Sequence, residues 1–209
     1  MPAVIVLSCV AVMLGLAGLA TAIGRSAAAR PIVYATCFVG CLVLGATGLV
    51  QLLSGSSAAP TLALPLGLPW LGSHFRIDAL AAFFLIVVNL GSAGASLYGL
   101  GYGRHEPAPH RVLPFFPAFL AGMNLVVVAD DAFTFLLSWE FMSLTSWALV
   151  MAHHRIADNA RAGYIYLLMA SFGTLSLLLA FGLLAGPEGA YGFAAMRDGH
   201  LAQIGRAHV

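Results

Sequence analysis

The 209 residues contain no lysine, only 8% charged residues and only three cysteines. Soluble domains carry about a quarter charged residues. So few charges cannot clothe a water-facing surface, and lipid must cover much of this chain. Without lysine, lysine-dependent chemistry is excluded from this stretch. A net charge of +1 gives no footing for nucleic acid. Cys9, Cys37 and Cys41 all lie in apolar runs and form no CxxC or Cys/His spacing, so neither an iron–sulfur nor a zinc site is expected. Cys37 and Cys41 share a helix face, and apolar packing is the role expected of them.

Apolar residues are what the chain has in abundance, at 61%. A spanning helix needs about 20 mainly apolar residues. Six runs qualify: Ala3–Ile23, Ile32–Leu53, Ile77–Leu100, Val112–Ala129, Ala132–Ala152 and Ala162–Ala185. The expected fold is therefore all-α, a polytopic membrane bundle of about six transmembrane helices. The first run has no basic start and is long for a signal core, so it reads as a retained helix. Between the runs lie a short basic turn (Gly24–Pro31), a longer connection with Pro60, Pro65 and Pro69, and the Gly101–Arg111 connection. A tight acidic turn at Asp130-Asp131 and a polar stretch, His153–Arg161, follow; Gly186–Val209 leaves the membrane. Gly40, Gly45 and Gly48 on the second run, and Gly91, Ala93 and Gly94 on the third, are expected to let helices approach closely.

Connections one, three and five hold Arg25, Arg30, Arg104, Arg111, Arg155 and Arg161, whereas two and four hold only Arg76. Arginine-rich connections stay cytoplasmic. The N-terminus is thus expected outside, which in a bacterium is the periplasmic face of the cell inner membrane.

Glu140 lies near the middle of the fifth run, in Ala132-Phe-Thr-Phe-Leu-Leu-Ser-Trp-Glu140 and onward to Ala152. A carboxylate at that depth costs at least about 2–3 kcal/mol. It is expected to face the protein interior or a hydrated cavity. A low dielectric favours the neutral carboxyl, which makes Glu140 a candidate proton carrier. At about 100° per residue, Leu136, Ser143, Leu144 and Trp147 share its side, while Thr134, Ser138 and Thr145 point away. Ser143 is placed to bind the carboxylate or a water beside it.

Other ionisable residues give weaker signals. Asp130 and Asp131 are expected to cap the fifth helix, with a proton path as the second role. Asp78 reads as an N-terminal acid of the third helix. His153 and His154 are candidates for proton uptake on the cytoplasmic side, with no third ligand patterned for a metal. Arg161 reads as an interface anchor. Asn89 and Asn124 lie inside spans and can bond between helices.

Three segments then resemble one family. Phe75-Arg-Ile-Asp78-Ala-Leu-Ala-Ala-Phe-Phe84 is similar to the start of the third helix of antiporter-like subunits. Ser138-Trp-Glu140-Phe-Met-Ser-Leu-Thr-Ser146 resembles their fifth-helix motif, and Ala162-Gly-Tyr-Ile-Tyr-Leu-Leu-Met-Ala-Ser-Phe-Gly-Thr174 their sixth helix. These subunits occur in respiratory complex I, Mrp sodium/proton antiporters and membrane-bound hydrogenases. The wording is most similar to hydrogenase-4 component B and formate hydrogenlyase subunit 3. The likeness covers about Phe75–Leu184; the first two runs match only in being apolar.

The resemblance implies about fourteen helices with two inverted repeats and broken helices at mid-depth. It also implies that Glu140 pairs with a lysine two helices later. That partner is not among these residues, so the chain is expected to be an N-terminal fragment that does not transport alone. On this pattern residues 1–74 are two helices and a periplasmic connection. Residues 75–186 start the antiporter-like domain and 187–203 are a loop; separately, 204–209 are expected to be foreign to the protein. Ile204-Gly-Arg-Ala-His-Val209 equals a translation of a common sequencing adapter, ATC GGA AGA GCA CAC GTC.

Function follows as an expectation. The leading one is a proton-translocating membrane subunit of a hydrogenase or complex-I-like oxidoreductase. No redox centre or cofactor is expected in this chain; its partners are the other membrane and peripheral subunits of the assembly and the lipid bilayer. An Mrp-type sodium/proton antiporter subunit is the first alternative, and a structural membrane anchor the second.

Overall fold

In a computed structural model the chain is described over residues 2–55, 60–67, 72–186 and 189–198. Six helices dominate: α1 (Pro2–Ile23), α2 (Ala29–Leu53), α3 (Ala79–Tyr102), α4 (Phe115–Val128), α5 (Ala132–Val150) and α6 (Ala157–Ala185). With short helical turns at their ends, all six are long and apolar enough to cross a membrane. Helices satisfy every backbone polar group internally, the condition lipid imposes on a spanning segment.

The helix limits differ from the sequence expectation where local chemistry intervenes. α2 starts at Ala29 rather than Ile32, because Pro31 falls in the first turn, where its missing N–H is not needed. α3 starts after Asp78, whose carboxylate accepts the Ala81 N–H at 2.9 Å and caps the helix. α6 starts at Ala157, five residues early, with Asp158 in its first turn as the helix dipole favours. Arg161 is therefore an exposed residue of the helix itself and not of the connection before it. The loop expected over 187–203 contains, within its described part, an extended bridge at Gly192 and a helical stretch over 193–198. Pro69 and the tail 204–209 lie outside the described residues.

The core is shared by α1 to α4. Val6, Val10 and Met13 of α1, Val33, Cys37 and Leu44 of α2, Leu85 of α3 and Leu120 of α4 are fully or nearly fully buried in one cluster. The cysteines are thus packing residues. Small residues bring the helices close at Gly48, where an added Cβ would lie 2.8 Å from the Ala82 carbonyl oxygen, and at Gly122, where it would lie 2.9 Å from Met142 Cα. Gly91 and Gly94 face open space instead; of that third-helix set only Ala93 is buried. At the centre, Asn89 of α3 and Asn124 of α4 exchange amides. Asn89 Nδ2 donates to Asn124 Oδ1 at 2.7 Å, and Asn124 Nδ2 to Asn89 Oδ1 at 3.4 Å.

The connections gather by parity. At one end, the α2–α3 connection forms a two-stranded antiparallel hairpin, β1 (Leu62–Leu64) with β2 (Ser73–Phe75). The sequence reading did not foresee it. The α4–α5 turn adds to its edge: Arg76 N–H donates to Val128 O at 2.9 Å, and Asp130 N–H to His74 O at 2.9 Å. The segment after α6 joins next, with Ala132 N–H to Tyr191 O at 3.0 Å and Phe193 N–H to Asp130 O at 3.2 Å. At the other, arginine-rich end, side chains hold the connections. Arg111 Nη1 reaches Ala152 O at 3.3 Å, and His153 Nε2 lies 3.1 Å from Glu106 Oε1. The hairpin end and the arginine-rich end are the two faces that a bilayer would separate.

Candidate functional site

α5 carries the candidate acid, and its start is fixed by Asp131. This residue is 1% exposed. Its Oδ1 accepts the Thr134 N–H at 2.8 Å; its Oδ2 accepts the Thr134 hydroxyl at 2.6 Å and the His74 N–H at 2.9 Å, with His74 Nδ1 at 3.3 Å. Asp131 is therefore the N-cap, as expected. Asp130 is not. It pairs with Arg76, whose Nε and Nη2 both lie 2.9 Å from Oδ1, and its Oδ2 accepts the Thr61 hydroxyl at 3.0 Å. Only one of two adjacent acids can occupy the cap position; the other is free to meet the cation that β2 brings alongside. Arg76 Nη2 also lies 3.7 Å from Asp78 Oδ2.

Nine residues beyond Asp131, Glu140 sits half-buried near the middle of α5. Its Oε1 is buried and has no hydrogen-bond partner among the described residues. The neighbouring indole N–H of Trp139 is likewise buried and unpaired. An unmet buried acceptor costs about 1–3 kcal/mol. Native proteins satisfy nearly all such groups, so these two are exceptions with a reason to find. Ser143, though buried, does not pair with Glu140 Oε1. Of the face shared with Glu140, Leu136 and Ser143 are buried while Leu144 is exposed. Thr134, Ser138 and Thr145, on the opposite side, are all buried, and Thr145 bonds back to Phe141 O and Met142 O at 2.9 Å. The hydroxyl side thus packs inward, and Glu140 lies at the border between packed and open faces.

Neighbouring helices hold α5 in place. α4 approaches at Gly122, opposite Met142. α6 packs Phe181 edge-on against Phe135 at 5.8 Å, and Gly163 lies against Met151 and Trp147. Only Gly163 and Ala185 of the 29 residues of α6 are buried, so its far side is open.

The candidate residues fall into three separate groups. Asp131 and Asp130 sit about 14–15 Å up the helix from Glu140, and His153 about 20 Å down it, at 1.5 Å per residue. Direct proton transfer needs heavy atoms about 2.6–3.2 Å apart, or one bridging water. No single hop joins the groups. His153 pairs with Glu106, whereas His154 is exposed and turns back to Met151 O at 3.1 Å. His74, Arg76, Thr61 and Glu106 were not foreseen at these positions. Their only trace is polarity within connections that are otherwise apolar or proline-rich. Among the described residues no three metal-ligand side chains converge.

Comparison with known proteins bears on these segments directly. Residues 129–207, which include all of α5 and α6, match the family described as NADH:quinone oxidoreductase/Mrp antiporter, TM. Hydrogenase-4 component B of Escherichia coli is 36% identical over 124 residues, 58% of this chain and 18% of that protein. The chain spans about a fifth of the length of the curated relatives it matches first. Among solved structures, an archaeal membrane-bound sulfane sulfur reductase superposes with a TM-score of 0.76 at 18% identity, over 93% of this chain and 39% of that one. The Mrp complex of Dietzia sp. gives 0.73 at 22% identity, over 93% and 36%. These two likenesses show the fold: the six apolar helices are arranged as in part of one chain of each of these membrane complexes.

Proposed function

We propose that this chain is a proton-translocating subunit of a hydrogenase or complex-I-like assembly and that Glu140 carries the proton; the similarity of residues 129–207 to the NADH:quinone oxidoreductase/Mrp antiporter family and the 36% identity to hydrogenase-4 component B support this reading. The observation that carries this reading is the Oε1 atom of Glu140, buried at mid-helix with no partner. A structural acid would be bonded to a neighbouring helix, as Asn89 and Asn124 are. An acid that exchanges a proton needs an unsaturated oxygen and a neighbour whose charge alternates. A cation brought close favours the ionised form, and its withdrawal favours the neutral one.

The proposed setting follows from the same chemistry. The arginine-rich end faces the cytoplasm and the hairpin end the periplasm, which puts the N-terminus outside the cell inner membrane. Electron transfer belongs to partner subunits. The test is Glu140→Gln in the full-length protein within its assembly. Coupled proton transfer is expected to fall at least about a hundred-fold, the lower end of what one acid–base group contributes, with assembly intact. Pumping at the wild-type rate by a correctly assembled variant would overturn the assignment.

A further inference from the structure

At the hairpin end a groove of about 570 Å³ opens between α3, α4, α5 and α6. Its walls are Leu80, Phe84, Val127, Phe135, Phe181 and Leu184. Leu80, Phe84 and Leu184 are each about half exposed or more. Its rim is charged: Arg76, Asp78, Asp130 and Arg197 line it together. The rim lies at the level of the α3 cap, at the N-terminal end of an apolar span.

The rim charges are not equally available. Asp130 is committed to Arg76 and Thr61. Asp78 is 39% exposed, and its Oδ2 has only the 3.7 Å approach of Arg76, since Oδ1 serves the helix cap. Arg197 is exposed and forms no ion pair among the described residues. One open carboxylate oxygen and one open guanidinium therefore share the mouth of an apolar groove.

We propose that this groove binds one phosphatidylethanolamine molecule, with an acyl chain along the α3 and α6 walls, the phosphate on Arg197 and the ammonium on Asp78. The charge pattern selects this headgroup among common phospholipids. Guanidinium pairs with phosphate through paired N–H donors. A primary ammonium offers N–H donors to a carboxylate; the quaternary ammonium of phosphatidylcholine has none, and phosphatidylglycerol has no cation. Two partly exposed contacts give selectivity of modest size, and the wall adds van der Waals packing, since the acyl chain leaves one hydrocarbon setting for another.

The experiment uses the full-length protein in nanodiscs, with phosphatidylethanolamine, phosphatidylcholine or phosphatidylglycerol carrying an acyl-chain diazirine. Photolabelled peptides are then mapped. Wild type is expected to label at Leu80, Phe84, Phe181 and Leu184, with phosphatidylethanolamine ahead by about five-fold, the yield of one partly exposed ion pair. Asp78→Asn keeps the α3 cap, because asparagine caps as well as aspartate. It is expected to erase the preference over phosphatidylglycerol. Arg197→Gln is expected to lower labelling by both lipids. Equal labelling by all three lipids, unchanged by either variant, would overturn the proposal. So would absence of label from the groove because another part of the protein covers it.

Discussion

Asn89 and Asn124 spend their amides on each other and on the Leu85 and Leu120 carbonyls one turn back. Between helices in lipid such a pair is worth about 0.6 kcal/mol on average and up to about 1.7. A double-mutant cycle with Asn89→Ala and Asn124→Ala, read by unfolding in mixed micelles, is expected to return a coupling in that range. A coupling of zero would mean the amides do not pair. Sequence placed both residues inside spans but could not match them, since thirty-five positions separate them. Glu140 was legible for a different reason: an acid in an apolar run announces itself by its cost. What the sequence could not give was its unpaired state. Ser143 stands at the right helical spacing, yet its hydroxyl does not pair with the buried oxygen. The division of labour between Asp130 and Asp131 was equally hidden, because it depends on where β2 delivers Arg76.

Helices were readable to within a few residues, because their apolar length is set by the membrane. The hairpin was not. Three-residue strands in a proline-rich connection carry no usable period, and their pairing comes from backbone groups rather than side chains. The same holds for the join between the α4–α5 turn and residues 191–193. A substitution can isolate that join. Ala132 is the first residue of α5, where proline is well tolerated, and Asp131 before it is already extended at φ −141°, ψ 158°. Ala132→Pro deletes the N–H that bonds Tyr191 O and leaves the helix intact. Hydrogen exchange over residues 189–198 is expected to accelerate by about five-fold, the effect of losing roughly 1 kcal/mol of local stability, with α5 protection unchanged. Equal acceleration throughout α5 would show that the helix start had been damaged instead.

Across the whole molecule charge is divided by end. The arginine-rich end, helix tips included, carries six arginines against Glu106 and Asp158. Among the described residues the hairpin end carries Arg76 and Arg197 against Asp78, Asp130, Asp131 and Asp198. This asymmetry predicts orientation. Alkaline phosphatase, active only outside the cytoplasm, is expected to be active when fused after Ser54 and inactive when fused after Arg155. The reverse result would invert the bundle.

The two ends also differ in how they are fastened. Main-chain hydrogen bonds run through four extended segments at the hairpin end, whereas the opposite connections meet through a few side-chain contacts. Main-chain ladders yield together or not at all, while single side-chain contacts let go one by one. Any rocking of α5 and α6 against the other four helices therefore pivots about the laced rim and swings widest at the far tips. Glu140, halfway along the lever, would sweep only part of that arc, and the rim itself would stay closed.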